Sequence, residues 1–154
     1  PLLAGFFRRQ SQANPAAMGD CPLCKVALAS RIYEGLPVGQ CSSCGGIFAD
    51  EKRVRRLLGR REKRFSPEFR QRAETWLRER YFVNRREPPR QPDAKQARAC
   101  PSCRKPLYRC HYSYQYFIEV DRCLECRRIW FDAEKLELLQ ALVERSQDRG
   151  DPRP

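Results

Sequence analysis

Eight of the nine cysteines in this chain fall into four C-x-x-C hooks, arranged as two sets of two hooks. Each set offers four thiolates, the number that completes a tetrahedral structural zinc site. The spacing therefore predicts two zinc ions per chain, and any fold must bring the two hooks of each set together. The predicted ligands are Cys21, Cys24, Cys41 and Cys44 in the first set and Cys100, Cys103, Cys123 and Cys126 in the second.

The two sets belong to an internal repeat that extends beyond the cysteines. Both copies read C-P-x-C, a basic residue and a leucine, and both continue after the second hook into an Ile-aromatic-x-Asp run. Copy two carries three extra residues between its hooks, which suits a hairpin tip. The corresponding residues are Leu28 and Leu107, Phe48 and Trp130, and Asp50 and Asp132.

Each copy spans only about 40 residues, too few to bury a large core, so metal binding and folding are expected to be one event. Between the hooks of copy two, Tyr112, Tyr114 and Tyr116 recur at period two. This pattern predicts a strand with the three tyrosines on one face. In copy one, glycines at positions 35 and 39 predict a hairpin.

Each copy is predicted to end in a short helix. Asp50 and Asp132 suit the N-cap positions of these helices, and Gly59 suits the end of the first one. The predicted fold is a small metal-stapled α+β structure. It contains two zinc ribbons, each a β-hairpin plus a short helix, joined by a helical connector.

The combined motif resembles the bacterial zinc-ribbon family named after transcription factor IIB. The family pattern is C-P-x-C, a leucine, a short hairpin, C-x-x-C-G-G-I-W-[LF]-D and a helix containing E-L. Copy one matches it over residues 41–50, whereas copy two has Arg127 and Arg128 in place of Gly-Gly. Glycine relaxes the backbone near the thiolates, so this departure leaves the geometry of the second site open. The resemblance implies a zinc-binding, non-catalytic module and says little about its partner.

Other interpretations of the cysteines remain. Four disulfides would be possible in an oxidising compartment, but the apolar segment at residues 1–7 is short and precedes its basic residues, unlike a signal peptide. A thioredoxin-like redox motif would need a βαβ context. Iron in a four-sulfur site would give an electron carrier, which sulfur ligands alone do not exclude. Reduced thiolates favour a cytoplasmic protein, and no apolar run is long enough to predict a membrane span.

The segment between the two copies is strongly basic. Eight basic residues lie between positions 52 and 64, and only Glu62 offsets them locally. This composition predicts contact with nucleic acid phosphates or an acidic protein surface, with a solvated charged face as the alternative. The candidate contact residues are Arg53, Arg55, Arg56, Arg60, Arg61 and Arg64.

A helix is predicted after this basic run. Ser66 is a suitable N-cap before Pro67, and Pro88 with Pro89 ends the helical pattern. Apolar residues recur at spacings of three and four, so the stripe is interpreted as packing against a ribbon rather than as a partner site. The stripe consists of Phe69, Ala73, Trp76, Leu77 and Tyr81.

Four residues could be given a chemical role but have simpler interpretations. Cys110 and His111 could form a reactive pair, yet four hook cysteines already fill the site, so an isolated strand cysteine beside an exposed histidine is favoured. Phe48 and Trp130 could stack on bases, but their place in the motif favours the core. The single histidine leaves no Ser-His-Asp set, and an enzyme is not expected.

The expected organisation has five segments. Residues 1–17 are a disordered tail or a remnant of processing or expression, 18–60 the first ribbon, 61–99 the basic helical connector and linker, 100–145 the second ribbon, and 146–154 a disordered tail. The long linker suggests weak coupling between the ribbons.

Charge sets the expected class of partner. The formal charge is +12, and eight thiolates with two zinc ions lower it to about +8. A basic protein favours anionic partners. We therefore expect an adaptor or regulator that contacts nucleic acid or a nucleic-acid machine, with a protein–protein scaffold in a bacterial complex as the alternative.

Overall fold

The structure is a computed structural model that describes residues 18–84 and 87–150, with the backbone alone for residues 81–84. Six strands and three helices form within these residues, and the small α+β class predicted from the sequence is confirmed. None of the described helices is long and apolar enough to cross a membrane. The elements are β1 (Ala29–Tyr33), β2 (Leu36–Gln40), β3 (Ile47–Asp50), α1 (Glu51–Leu58), α2 (Pro67–Asn84), β4 (Tyr108–His111), β5 (Glu119–Arg122), β6 (Arg128–Phe131) and α3 (Lys135–Asp148).

The six strands form one antiparallel sheet in the order β1-β2-β3-β6-β5-β4. The two copies meet where β3 pairs with β6, and Phe48 lies directly opposite its counterpart Trp130. A residue that faces its own counterpart in an antiparallel pair lies on a local twofold axis. The copies are therefore related by an approximate twofold axis and share one sheet, whereas the sequence predicted two separate ribbons with weak coupling.

The sheet has two differently covered faces, as period-two alternation requires. Ile47 and Ala49 of β3 join the larger core beneath the helices, the helix-side core, whereas Phe48 between them points to the other face. On that other face, the metal-side face, Phe48 and Trp130 are fully buried among four of the hook cysteines, and these residues form the metal-side core. The predicted core role of these two aromatic residues is confirmed.

Each short helix packs across the axis onto the other copy. In α3, Gln140 accepts a hydrogen bond from the Tyr33 hydroxyl and donates one to Glu34 at 3.0 Å, both in the hairpin of copy one. In α1, Glu51 forms a 2.6 Å ion pair with Arg122 in the hairpin of copy two. Gln140 is 1% exposed, so this polar contact belongs to the core rather than the surface.

The connector helix α2 begins as predicted. The Ser66 hydroxyl accepts from the Phe69 N–H at 3.1 Å, and the helix ends before Pro88. Ala73 is buried and Trp76 is partly buried against the helix-side core, which confirms the packing role of the stripe. The side chain of Tyr81 lies outside the described residues.

Two predictions about local structure are wrong. Because β4 ends at His111 and β5 begins at Glu119, the three tyrosines lie in the connecting loop and share no strand face. Tyr114 is 93% exposed and Tyr116 is 2% exposed. The predicted C-terminal tail at 146–154 overlaps the last turn of α3, which extends to Asp148 and is held there by hydrogen bonds from Arg61 to Gln147 and Asp148. Residues 1–17 and 151–154 lie outside the described part of the chain.

Hairpin length explains the error with the tyrosines. In copy one, Glu34 and Gly35 make a two-residue turn, both with positive φ, as a tight hairpin requires. Copy two has shorter strands and a seven-residue loop, 112–118. The three extra residues therefore sit at the hairpin tip, as predicted, and they replace the strand that the alternation suggested.

Candidate metal centres

The eight predicted ligands come together as two four-cysteine clusters. Within each cluster the Sγ atoms all lie within 4.8 Å of one another. The first cysteine of every hook is buried and the second is half-buried, so each cluster sits at the edge of the metal-side core. Cys110 belongs to neither cluster, and burial raises the pKa of its thiol. The interpretation of Cys110 as an isolated strand cysteine agrees with this placement, although its neighbour His111 is half-buried rather than exposed.

All four hooks adopt the same backbone turn. The residue after the second cysteine has a positive φ, and its N–H donates to the carbonyl of the first cysteine at 2.9–3.1 Å. The residue one further on accepts from the N–H of the first cysteine at 2.8–3.0 Å. The residues with positive φ are Lys25 (61°), Gly45 (75°), Arg104 (66°) and Arg127 (52°).

This shared turn explains how copy two can carry arginine where the family pattern has glycine. Arg127 adopts the same left-handed conformation as Gly45, so the knuckle does not require glycine there. The second glycine of copy one, Gly46, is needed for a different reason. A Cβ added at Gly46 would lie 2.2 Å from Cζ2 of the Trp130 ring, whereas its counterpart Arg128 lies beside the smaller Phe48 ring, with 5.8 Å between guanidinium and ring centre.

The hooks supply hydrogen bonds that favour thiolates. The N–H groups of Cys24, Cys44 and Cys126 donate to the first sulfur of their hooks at 3.3–3.5 Å. Burial opposes ionisation, but donors from Cys44 and Ser43 lower the pKa of Cys41 to about 7.

Ionisation of one sulfur opposes ionisation of the next. Burial, together with the neighbouring sulfurs, raises the pKa of Cys44 to about 12, against a lowering backbone donor from Gly46. In the second cluster the pKa of Cys123 falls to about 7 and that of Cys126 rises. Four thiolates this close repel one another until a divalent cation joins them. The two clusters fit two zinc ions, one in each ribbon.

A partly buried ion network joins residues near the second centre, and the sequence analysis missed it. Arg98 contacts Asp121 at 2.7 Å and Asp132 at 2.8 Å, and Arg109 contacts Asp121 at 3.1 Å. The indole N–H of Trp130 donates to Asp132 at 3.0 Å. Asp121 is only 4% exposed, so its two arginines are needed to offset its burial. No local motif marks these residues, since they come together only through the sheet.

The two aspartates that were predicted as N-caps differ in outcome. Asp50 caps α1 by accepting from the Arg53 N–H at 2.8 Å, as predicted. Asp132 does not cap α3, which begins at Lys135 after a left-handed residue and has no side-chain cap. Burial would raise the pKa of Asp132, but the Trp130 N–H and Arg98 together hold it below its usual range. The ion network has replaced the helix cap.

Part of the basic run is paired within the molecule. Arg61 contacts Asp148 at 2.8 Å, and Lys63 contacts Glu137 at 3.5 Å, both on α3. Arg60 contacts Glu62 at 3.3 Å and donates to the Glu34 carbonyl at 2.7 Å. The expectation that only Glu62 offsets the run is therefore wrong, because α3 folds back beside it.

The other candidate contact residues divide between paired and open positions. Arg53 of α1 lies 3.5 Å from the N-cap residue Asp50 in an ion pair. Arg55, Arg56 and Arg64 are exposed, and no carboxylate of residues 18–84 or 87–150 lies within ion-pair distance of them. Among the candidate contact residues, the unpaired positive charge therefore lies at Arg55 and Arg56 on α1 and at Arg64, which follows the paired residues 60–63.

Comparison with known proteins supports the metal assignment for the first centre. The family model for transcription factor zinc-fingers, the TFIIB-type zinc ribbon, matches residues 20–60. A search of curated proteins and a search of solved structures found no match to the chain. The matched region contains the first four-cysteine cluster, and the second cluster at 100–126 has the same geometry in the structure.

Proposed function

We propose that the protein is a non-catalytic, zinc-dependent adaptor or regulator whose exposed α1 face contacts nucleic acid or a nucleic-acid-associated machine. The observation that carries this proposal is the face of α1 that points away from the core. Val54, Leu57 and Leu58 are buried inward, whereas Lys52, Arg55 and Arg56 are exposed.

The three outward residues form one surface. Their spacings of three and four place them together on the same side of the helix. None of them has a carboxylate within ion-pair distance in the described part of the chain. Uncompensated arginine and lysine side chains on one helix face suit phosphate oxygens, with which they pair without regard to base sequence.

The neighbouring loop of copy two supplies aromatic groups to this region. The Tyr112 ring lies 5.3 Å from the guanidinium of Arg122, and Arg122 pairs with Glu51 at the start of α1 at 2.6 Å. In the same loop Tyr114 is 93% exposed. Exposed aromatic rings and open cations are the groups that single-stranded nucleic acid uses for stacking and phosphate contact.

Family precedent and composition supply the rest of the proposal. Zinc ribbons of the matched type are generally non-catalytic, and both clusters use all four positions of a tetrahedral site, which leaves none for a substrate. Eight thiolates suit a reducing, cytoplasmic compartment. The alternative function, a scaffold that binds protein surfaces, is favoured by one separate feature of the sheet, the open edge of β1.

Binding to labelled 30-nucleotide DNA, single-stranded and duplex, tests the proposal on the zinc-loaded protein. Log affinity should fall linearly with log salt, and the Lys52→Gln, Arg55→Gln, Arg56→Gln triple variant should reduce the slope by about 2–3. Glutamine keeps a similar helix propensity, so thermal stability should change little.

The matched control is the double variant Arg60→Gln, Arg61→Gln, which also removes positive charge. These arginines are held by Glu34, Glu62 and Asp148, so the control should lower thermal stability and leave most of the salt slope intact. An affinity and a slope that stay the same in the triple variant would refute the α1 face as the contact surface. Absence of wild-type binding at low salt would reject nucleic acid as the direct partner.

A further inference from the structure

The two outer strands of the sheet are counterparts in the repeat, yet their free edges differ. At the β4 edge the side-chain amide of Gln91 accepts from the Arg109 N–H at 3.0 Å and donates to the Arg109 carbonyl at 2.5 Å. Glu87, Pro88 and Pro89 lie beside the same strand and line a groove with it. The linker thus covers this edge. In the described residues no segment takes the corresponding place along β1.

The hairpin register shows which groups β1 leaves open. Tyr33 pairs with Leu36 across a two-residue turn, so this pair is hydrogen-bonded, and bonded pairs then recur at every second residue. The N–H and C=O groups of Ser30 and Ile32 therefore point away from β2. The position of Pro37 opposite Ile32 agrees, because proline has no N–H to donate there. Within residues 18–84 and 87–150 these outward groups have no partner.

The side chains of this strand are also open. Ser30 and Arg31 are exposed, and Ile32 is 71% exposed on the metal-side face beside the exposed Pro37. No carboxylate of the described residues lies within ion-pair distance of Arg31. An edge strand with an open apolar residue is the kind of surface that pairs with a further strand.

The strand is held in position independently of any partner. Its last residue, Tyr33, donates its hydroxyl hydrogen to the buried Gln140 of α3. The next residue, Glu34, accepts from the Lys63 N–H at 2.7 Å and from Gln140 at 3.0 Å. Because the edge is already extended and fixed, a partner strand would bind without ordering β1 first.

We propose that the β1 edge binds an extended segment of a partner protein by strand addition, with an acidic residue of that segment opposite Arg31 and an apolar residue opposite Ile32. Charge separates this occupant from a second copy of the chain. The antiparallel self-pairing that satisfies both Ser30 and Ile32 would place Arg31 opposite the Arg31 of the other copy, and like charges directly opposite destabilise a sheet. An acidic residue at the same place would form a cross-strand ion pair.

Peptide display on the immobilised, zinc-loaded full chain tests this inference. Wild-type protein should enrich peptides in which an acidic residue alternates with β-branched or aromatic residues, by at least about tenfold over the Ile32→Pro variant. Proline at position 32 removes an outward N–H and no bond to β2, so the sheet should persist. Zinc content of two ions per chain confirms that the variant has folded.

The charge swap Arg31→Glu supplies the decisive comparison. This variant should enrich lysine or arginine at the position where the wild type enriches an acid. Equal enrichment by the wild type and Ile32→Pro, or the same peptides with Arg31→Glu, would overturn the proposal. A concentration-dependent dimer that Ile32→Pro abolishes, without peptide enrichment, would assign the edge to a second copy instead.

One further variant addresses the chain's own N-terminal segment. Leu2, Leu3, Phe6 and Phe7 are changed to Ser in the full-length chain, which removes the apolar side chains that a competing strand would use. Enrichment that appears only in this variant would show that residues 1–17 fill the edge, and would overturn the proposal. Enrichment that is the same with and without these changes supports an external partner, whatever the outcome of the DNA-binding experiment.

Discussion

The two ribbons build the same metal knuckles from different residues. Copy one places Gly45 and Gly46 after its second hook, and copy two places Arg127 and Arg128 there. Both first residues are left-handed, at φ values of 75° and 52°, so the knuckle fixes a backbone conformation and tolerates a side chain that points outward. The glycine at position 46 serves a neighbour instead, because Trp130 from the other ribbon lies against it.

The ribbons differ at their helix starts and hairpin tips, where each makes different contacts within the shared fold. Copy one starts its helix with an aspartate cap and turns its hairpin in two residues. In copy two, Asp132 serves Arg98 and Trp130 rather than a helix. The metal knuckles and the residues on the twofold axis match between the copies, whereas helix starts and hairpin tips do not. The comparison indicates that the pair, rather than the single ribbon, is the folding unit.

The largest expected effect comes from removing one ligand. Cys41→Ser should release zinc from the first cluster, and structural zinc contributes on the order of 10 kcal/mol to folding. Since β3 would lose its fixed position beside β6, the second cluster should lose zinc as well. Zinc content measured after dialysis against a weak chelator checks this outcome, with Cys110→Ser as the control that keeps both ions. A single firmly bound zinc in Cys41→Ser would mean that the ribbons fold independently.

A large effect is also expected at the twofold axis. Trp130→Ala removes a fully buried ring and should lower the free energy of unfolding by about 3–5 kcal/mol, with Phe48→Ala nearly as costly. Because the two rings belong to one cluster, the double variant should be less destabilised than the two single losses added together. Denaturant unfolding followed by circular dichroism gives these values, and strict additivity would argue against a shared core.

Substitutions at the two corresponding positions, Gly46 and Arg128, should change the stability of the protein by different amounts. Gly46→Ala pushes a methyl group against the Trp130 ring and should destabilise the protein by about 1–3 kcal/mol. Arg128→Gly at the corresponding position relieves no clash and should cost less than about 1 kcal/mol. Thermal unfolding of both variants measures the two losses of stability, and equal losses would show that glycine is required by the knuckle itself.

The smallest predicted difference lies at the helix starts. Asp50→Ala removes a helix cap and should cost about 1 kcal/mol, with faster hydrogen exchange at the Arg53 amide. Asp132→Ala should leave exchange at the start of α3 unchanged, since no side chain caps that helix. It should instead speed exchange of the Trp130 indole N–H. Faster exchange at the start of α3 in Asp132→Ala would contradict this assignment.

Local chemistry made part of this structure predictable. The metal ligands, the Asp50 cap and the start of α2 at Ser66 depend on residues close in sequence, and the pattern of residue types identifies them. Arg98 with Asp121 and Arg61 with Asp148 could not be inferred in this way, because the partners meet only after β3 pairs with β6 and α3 folds back. The tyrosine alternation was misleading for a related reason, since a loop of seven residues can imitate period two.

Pairing of the two repeats was the least accessible feature from sequence. No residue pattern in either copy predicts that Phe48 will lie opposite Trp130, although the two residues occupy the same position in the repeat. Short ribbons leave apolar residues such as Ile47 and Ile129 without a sufficient core of their own, and pairing buries both.

Stepwise zinc addition to the metal-free protein, followed by native mass spectrometry, tests this shared folding unit most directly. If the two ribbons fold as one unit, chains with no zinc and chains with two zinc ions should coexist at half-saturation, with little one-zinc species, because filling one cluster fixes β3 against β6 and organises the other. A dominant one-zinc species at half-saturation, with one ribbon folded and the other not, would contradict the shared folding unit.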